Sequence, residues 1–335
     1  MKVIRPIKPE DRDAFERMAF TSSMGIRSLP KDSDQLYDKI LMSQEAFHEE
    51  KQTPHHHQYI FVLEDQATGA IEGTSGIKAK TAVNEPEYTY RLETLDNTRM
   101  TNHVPKTLRV LKTQTHRNGP TEICGLYLLP HSRMSNLGRL LSYCRFLFIA
   151  NHPARFDDTV IAEMRGYFDK EGHNPFWTRV GRHFYDVPYE EAIERQSHTT
   201  TFIPDILPEF PIYLDLLPFE VQKVIGKTHP NTEPALNLLI QNGFTLTNEV
   251  DVFDGGPKIW APMEKVKTIQ KSRAAPVTDI PAELEEGDWI ISNTSLDFRA
   301  VAAGIRVNEK GITIDKKTSE ALRVKIGDTV RYVSF

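Results

Sequence analysis

The stretch "TEICGLYLLPHSRMSNLGRLLSYCRFLFIANH" constrains the fold more than any other part of the chain. It opens on a nearly continuous apolar run that Pro130 stops, the pattern of a buried strand. It closes on apolar residues recurring at three and four, the period of a helix. The loop "HSRMSN" joins the two. A buried strand that turns into a buried helix makes this a chain of mixed α and β structure.

The remaining segments supply the neighbours. "KVIRPI" alternates as a short strand, and "KPEDRDAFERMAFTS" follows as a helix with acids in its first turn and Phe15, Met18 and Ala19 at helical spacing. "QYIFVLEDQATGAIEGTSGIKAK" holds two β-rich runs parted by residues 65–69, an antiparallel hairpin. "DTVIAEMRGYF" reads as another buried strand, and "NPFWTRVGRHF" as a short helix capped by Asn174 with Gly181 near its end. A linker with Pro204, Pro208, Pro211 and Pro218 leads to "GKTHPNTEPALNLLIQNGF". There Asn231 or Thr232 caps a helix, Leu236, Leu239 and Ile240 form its buried stripe, and Gly243 gives a left-handed stop before the strand "FTLTNEVDVF". This device echoes "NPFWTRVGRHF", which raises the reading of a second partial copy. From Ala274 the chain turns Pro- and Glu-rich and then into short β-like runs, a small all-β, barrel-like module with "RVKIGDTVRYV" as a strand pair turning at residues 326–328. The expected divisions are 1–200 for the core, 201–273 for a helix–strand extension that completes the site, and 274–335 for the module.

Composition narrows the function classes. A length of 335 residues is enough to bury a sizeable core, and 41 basic against 46 acidic residues give a net charge of −5 without the basic footprint of a nucleic-acid binder. Cys124 and Cys144 are too few for a disulfide framework and sit in apolar frames, as buried thiols do in a reducing compartment. The N-terminus lacks the apolar core of a signal peptide, and no apolar run reaches the ~18 residues of a membrane helix. A cytoplasmic protein acting on small molecules is expected. The run "TPHHHQ" lacks a spaced Cys or acid partner for a closed metal site, so no metal is expected.

The chemistry gathers first at "LLPHSRMSNLGRLL". A buried strand running through Arg133, Asn136 and Gly138 into a helix directs backbone N–H groups and a positive helix end at one spot, which suits a pyrophosphate. This order of elements, with "VIRPIKPEDRDAF", "FVLEDQATGAIEGTSGI" and the turn itself, resembles the GNAT acyl-CoA N-acyltransferase superfamily. Its usual turn has Gln or Arg, two residues, Gly, one residue, then Gly or Ala. Arg133 and Gly138 fit, whereas Asn136 replaces the first glycine and needs a left-handed backbone to keep the same path.

A narrower resemblance covers nearly the whole chain: "GIRSLP", "AEMRG", "PFW", "HPNTEPA" and "DVFDGGP", in that order, resemble the arginine N-succinyltransferase family of arginine catabolism. The resemblance implies a GNAT-like, mixed and mostly antiparallel α+β fold. It also implies the reaction of succinyl-CoA with L-arginine to give N2-succinylarginine and CoA, with no permanently bound cofactor. It places His229 as the acid/base histidine, and imidazole titrates in the range such a task needs. It implies backbone contacts from Leu126 to succinyl-CoA, and Arg133, Asn136 and Gly138 at the pyrophosphate. A guanidinium and a carboxylate on the acceptor call for an acid and a cation, for which Glu163, Arg165 and Asp254 are the candidates, at most one of them touching substrate. Arg27 and Ser28 are the guess for the succinyl carboxylate. Two alternatives stay open: ornithine or another amino acid as acceptor, and a subunit that needs a related chain for activity, since the family includes forms built from two. A homo-oligomer is the simpler assembly.

Overall fold

The computed structural model of the chain describes every residue except 23–24, 51–52, 98–105, 134–135, 200 and 286, and no side chain at 96, 97 or 106. Among the described residues sixteen strands form one sheet, and ten of them make its central part: β1 (Lys2–Pro6), β2 (Gln58–Asp65), β3 (Ala70–Lys78), β4 (Glu87–Asn97), β5 (Lys106–His116), β6 (Thr121–Leu128), β7 (Thr159–Glu163), β8 (Ile212–Tyr213), β9 (Thr245–Asp251) and β10 (Pro257–Pro262). Their spatial order is β1-β2-β3-β6-β7-β10-β9-β4-β5-β8. Every pairing within this set is antiparallel except β6 with β7. The expected class holds: a mixed, mostly antiparallel sheet flanked by helices.

Local sequence explains the layers. In β2, Tyr59, Phe61 and Leu63 enter one core while Ile60 and Val62 enter another, so the run is apolar throughout because both faces are covered. The helix α1 (Arg12–Thr21) and the helix α2 (Ser33–His48) cover the second face through Phe15, Met18, Leu36 and Ile40. The helix α3 (Leu137–Asn151) covers the first, setting Leu140, Leu141, Cys144 and Leu147 against Ile77, Ile123, Ala162 and Ile259. An apolar residue on nearly every side of α3 matches its deep burial.

Several local expectations change. Both α2 and the β4–β5 hairpin are additional to the order of elements read from sequence. Asn174 does cap its helix, accepting the Trp177 N–H at 2.6 Å. Gly181 is no stop, however: its φ of −57° is helical, and a Cβ there would lie 2.2 Å from the Trp177 ring, so packing requires the glycine. On the helix Glu233–Gln241, Leu239 is buried but Ile240 is 40% exposed, and Thr232 makes no side-chain cap. Gly243 does take the left-handed stop, at φ +104°.

The C-terminal segment contains the expected strands and also a helix, Lys316–Leu322, so it is not all-β. Asp315 caps that helix by accepting the Thr318 N–H at 2.7 Å, and Arg323 ends it at φ +57°. "RVKIGDTVRYV" is consequently not a strand pair; only Thr329–Ser334 within it is a strand. The segment joins the central sheet through the Ile4↔Ala300 pair of β1. Adjacent residues of β1 serve two cores: Val3 packs with Val277, Ile291 and Leu322, and Ile4 with Phe61 and Phe298.

Candidate active site

The site is built around one break in the sheet. Parallel pairing of β6 with β7 is recorded only at Thr121↔Val160 and Glu122↔Ile161. Beyond it β7 stays paired with β10 as far as Glu163, while β6 stays with β3. Strand β6 also carries a bulge, where its register with β3 shifts between Thr74 and Gly76 and Gly125 takes φ +61°. Leu126 lies in the bulge, its side chain packed against the main core.

At the far end of β6 the chain turns into α3. The Arg133 Nε donates to the Leu128 carbonyl at 3.0 Å, and its guanidinium lies 5.6 Å from the Tyr127 ring centroid. Asn136 occupies the N-cap with φ −65° and ψ 7°. The left-handed backbone considered for Asn136 is not taken: its φ is negative, and its carbonyl accepts the Leu140 N–H at 3.0 Å as the first bond of the helix. Among the described residues, the one atom within 4 Å of a Cβ placed on Gly138 is Leu128 Cδ1, at 3.6 Å. The first-turn N–H groups of α3 have no partner within the helix and form its positive end. Residues 134–135 of this turn lie outside the described residues.

Past Glu163 the β7 chain continues to an isolated antiparallel bridge, Gly166↔Thr228. One step outward along that bridge, Arg165 and His229 stand opposite each other with side chains on the same side, and the His229 N–H donates to the Arg165 carbonyl at 2.9 Å. Past Glu122↔Ile161 the β6 chain continues through its bulge to Leu126, and the β7 chain continues to Arg165, opposite His229. The sequence-derived candidates Leu126, Arg165 and His229 thus lie on the stretches of chain that run on past the β6–β7 pairing.

The His229 ring is half-buried, with its centroid 6.3 Å from that of Phe168. Its Nδ1 accepts the Asn231 N–H at 3.1 Å, an arrangement that Pro230 favours by fixing the intervening backbone. Because Nδ1 is used as an acceptor, the neutral ring carries its proton on Nε2. Burial, then the neighbouring Arg165 charge, lower its pKa from 6.5 to about 4.

The acids divide by role. Glu163 and Arg165 do not pair with each other. Glu163 meets Arg27 at 2.9 Å, and Arg27 also meets Asp251 at 2.6 Å, so the Arg27 charge is matched by two carboxylates. Burial pushes the Glu163 carboxyl up, but the Arg27 charge outweighs it and holds the group below the ordinary carboxylate range. Asp254 is buried, with Oδ2 accepting the Gly166 N–H and Oδ1 the Gly256 N–H, both at 2.8 Å. Burial, then Asp251, raise its pKa to about 7. Its oxygens hold the backbone on which Arg165 and His229 stand. Tyr189, which sequence reading missed, is buried against Phe168 with a hydroxyl that has no hydrogen-bond partner. In the histidine run, His55 and His56 are exposed and His57 pairs with Glu49.

Two sequence profiles match the chain. One, described as arginine N-succinyltransferase beta subunit, spans residues 2–268, and one for the C-terminal domain of that subunit spans residues 273–334. The chain belongs to the arginine N-succinyltransferase family. It is 35% identical over 337 residues to arginine N-succinyltransferase subunit alpha of Pseudomonas aeruginosa, with 100% of both chains covered. It is 34% identical to arginine N-succinyltransferase of Citrobacter koseri, over 99% of this chain and 97% of that protein. The solved structure of arginine/ornithine succinyltransferase subunit AI from Pseudomonas aeruginosa matches with a TM-score of 0.91 at 34% identity, covering 100% of this chain and 98% of that one. Like its family, the chain is an acyltransferase. Among the described residues, no helix is long and apolar enough to cross a membrane.

Proposed function

We propose that the chain moves a succinyl group from succinyl-CoA to the α-amino group of L-arginine, in the cytoplasm, with His229 as the hydrogen-bond donor of the site. The observation that carries this is the meeting of His229 and Arg165 on the chain that continues β7 past its last pairing with β6, with Leu126 on the continuation of β6. The pyrophosphate of the donor lies at the α3 N-terminus by Arg133, Asn136 and Gly138, and the thioester runs along the bulge, where backbone N–H groups near Leu126 polarise its carbonyl.

The reaction then balances as follows. The free amine attacks the thioester carbon, giving a tetrahedral adduct with a positive nitrogen and a negative oxygen. The C–S bond breaks as the C–O double bond re-forms, and the proton released by the nitrogen ends on the departing sulfur. The His229 Nε2–H stabilises the charge that develops on oxygen and then on sulfur. A neutral ring donating from Nε2 does not serve as the first base, so the acceptor reacts as its free amine.

A pH dependence follows from the direction of the His229 shift. With its pKa lowered from 6.5 to about 4, the ring stays neutral throughout the range in which free histidine titrates. The kcat/KM for arginine should rise with the fraction of free amine and show no inflection near 6.5. An inflection there that vanishes in His229→Ala counts against the donor assignment.

The acceptor is tested by thiol release from succinyl-CoA with a panel of amino acids. Arginine should give the highest kcat/KM, with ornithine and lysine lower; equal rates would make the site a general amino-acid acceptor. The family and relative names both include "subunit", which supports an assembly of this chain with itself or a related chain. Light scattering of the purified chain, alone and at assay concentration, reads that directly.

A further inference from the structure

We propose that Arg165 receives a substrate carboxylate and thereby sets which acyl acceptor or donor the site prefers. This rests on the reading that His229 marks the active site. Two guanidinium groups stand near the end of β7, and they differ in one respect. Arg27 is matched by Glu163 and Asp251. Arg165 has no ion pair among the described residues, and its Nε is buried without a hydrogen-bond partner. The closest candidate to neutralise it, Asp254, already spends both oxygens on the Gly166 and Gly256 N–H groups.

A guanidinium left this way is costly unless something completes it. Its surroundings hold it ready. The group lies 4.8 Å from the Phe168 ring centroid, and stacking on that ring fixes its plane. Gly25, at φ +84°, presses from the other direction: a Cβ there would come within 2.9 Å of both Arg165 Nε and the Phe168 ring. The same side of the backbone bridge carries His229, so an anion held by Arg165 lies beside the reacting atoms.

Both substrates offer the matching chemistry. The acceptor has a carboxylate one carbon from the nucleophilic nitrogen, and the succinyl group has one two methylenes from the thioester carbon. The two sources are told apart with analogues that lack one or the other. Agmatine is arginine without its α-carboxylate, and butyryl-CoA is succinyl-CoA with a methyl in place of its carboxylate.

The experiment measures kcat/KM for the native chain, Arg165→Met and Arg165→Lys on the four donor and acceptor pairs, with melting curves to show that each variant is folded. In Arg165→Met the native pair should lose roughly 10²-fold. The analogue lacking the received carboxylate should lose little, so that discrimination collapses in that arm. Arg165→Lys, which keeps the charge without the planar fork, should fall between and provides the reading should the methionine variant not fold. Discrimination unchanged in both arms overturns the proposal. His229→Ala run alongside separates the two readings: it should slow all pairs alike while preserving discrimination, and a native rate in that variant sinks the site assignment rather than the role of Arg165.

Discussion

His229→Ala should lower kcat by roughly 10²-fold or more while leaving the dissociation constant of succinyl-CoA close to that of the native chain. In the proposed binding mode the donor lies along β6 and the α3 N-terminus, whereas His229 stands on the chain opposite Arg165, so removing the ring should leave the donor's contacts intact. What disappears is the Nε2–H that meets charge developing after attack, an interaction made in the transition state more than in the ground state. The Asn231 N–H also loses its acceptor, but it lies in an exposed turn where water replaces it. Pre-steady-state thiol release and calorimetric titration with succinyl-CoA read the two quantities separately. A variant that turns over at the native rate removes His229 from the chemistry.

Gly166→Ala should be strongly disruptive near the site. A Cβ at Gly166 would lie 2.2 Å from the Asp254 carbonyl oxygen and 2.8 Å from its carbon, backbone atoms that cannot swing aside as a side chain does. Either Gly166 or Asp254 must move, and the Gly166 N–H to Asp254 Oδ2 bond moves with them. Overpacking of this kind costs about 3 kcal/mol. It also displaces the bridge that sets Arg165 opposite His229, and small errors of placement at a reacting centre cost on the order of 10²-fold in rate. A useful contrast is Gly69→Ala: Gly69 is left-handed, at φ +73°, but among the described residues nothing lies within 4 Å of its Cβ, so only the local backbone cost remains. Melting curves and arginine-dependent thiol release on both variants check the ranking. Equal stability of the two would show that the backbone around Asp254 yields.

The parts legible in the sequence share a cause: short-range patterns write local structure. The run from Thr121 through α3 shows both its strand and its helix because each is buried on more than one side, and the β2–β3 hairpin announces itself through the residues of its turn. The helix α2 had a readable signal, Asp32 as cap and Leu36, Ile40, Ser43 and Phe47 at helical spacing, but charged residues on its outer face dilute the stripe. The β4–β5 hairpin is harder to see, since its strands alternate threonines and charges with few apolar residues. Family resemblance brought out His229 and Leu126; the sequence around them would not have singled out either. The ionic arrangement is invisible from sequence for a different reason. Arg27 and Glu163 are 136 positions apart, and nothing local to either says that Arg27 is matched and Arg165 is not.

Strand β1 has two edges, and during synthesis they wait for different lengths of time. One is satisfied by β2, about sixty residues along the chain, while the other stays open until Ala300 is made. During that interval Val3 has no core to enter, because its companions Val277, Ile291 and Leu322 do not yet exist. Nascent chains are therefore exposed to mispairing along β1, and a truncated product ending before Arg273 would carry that open edge permanently.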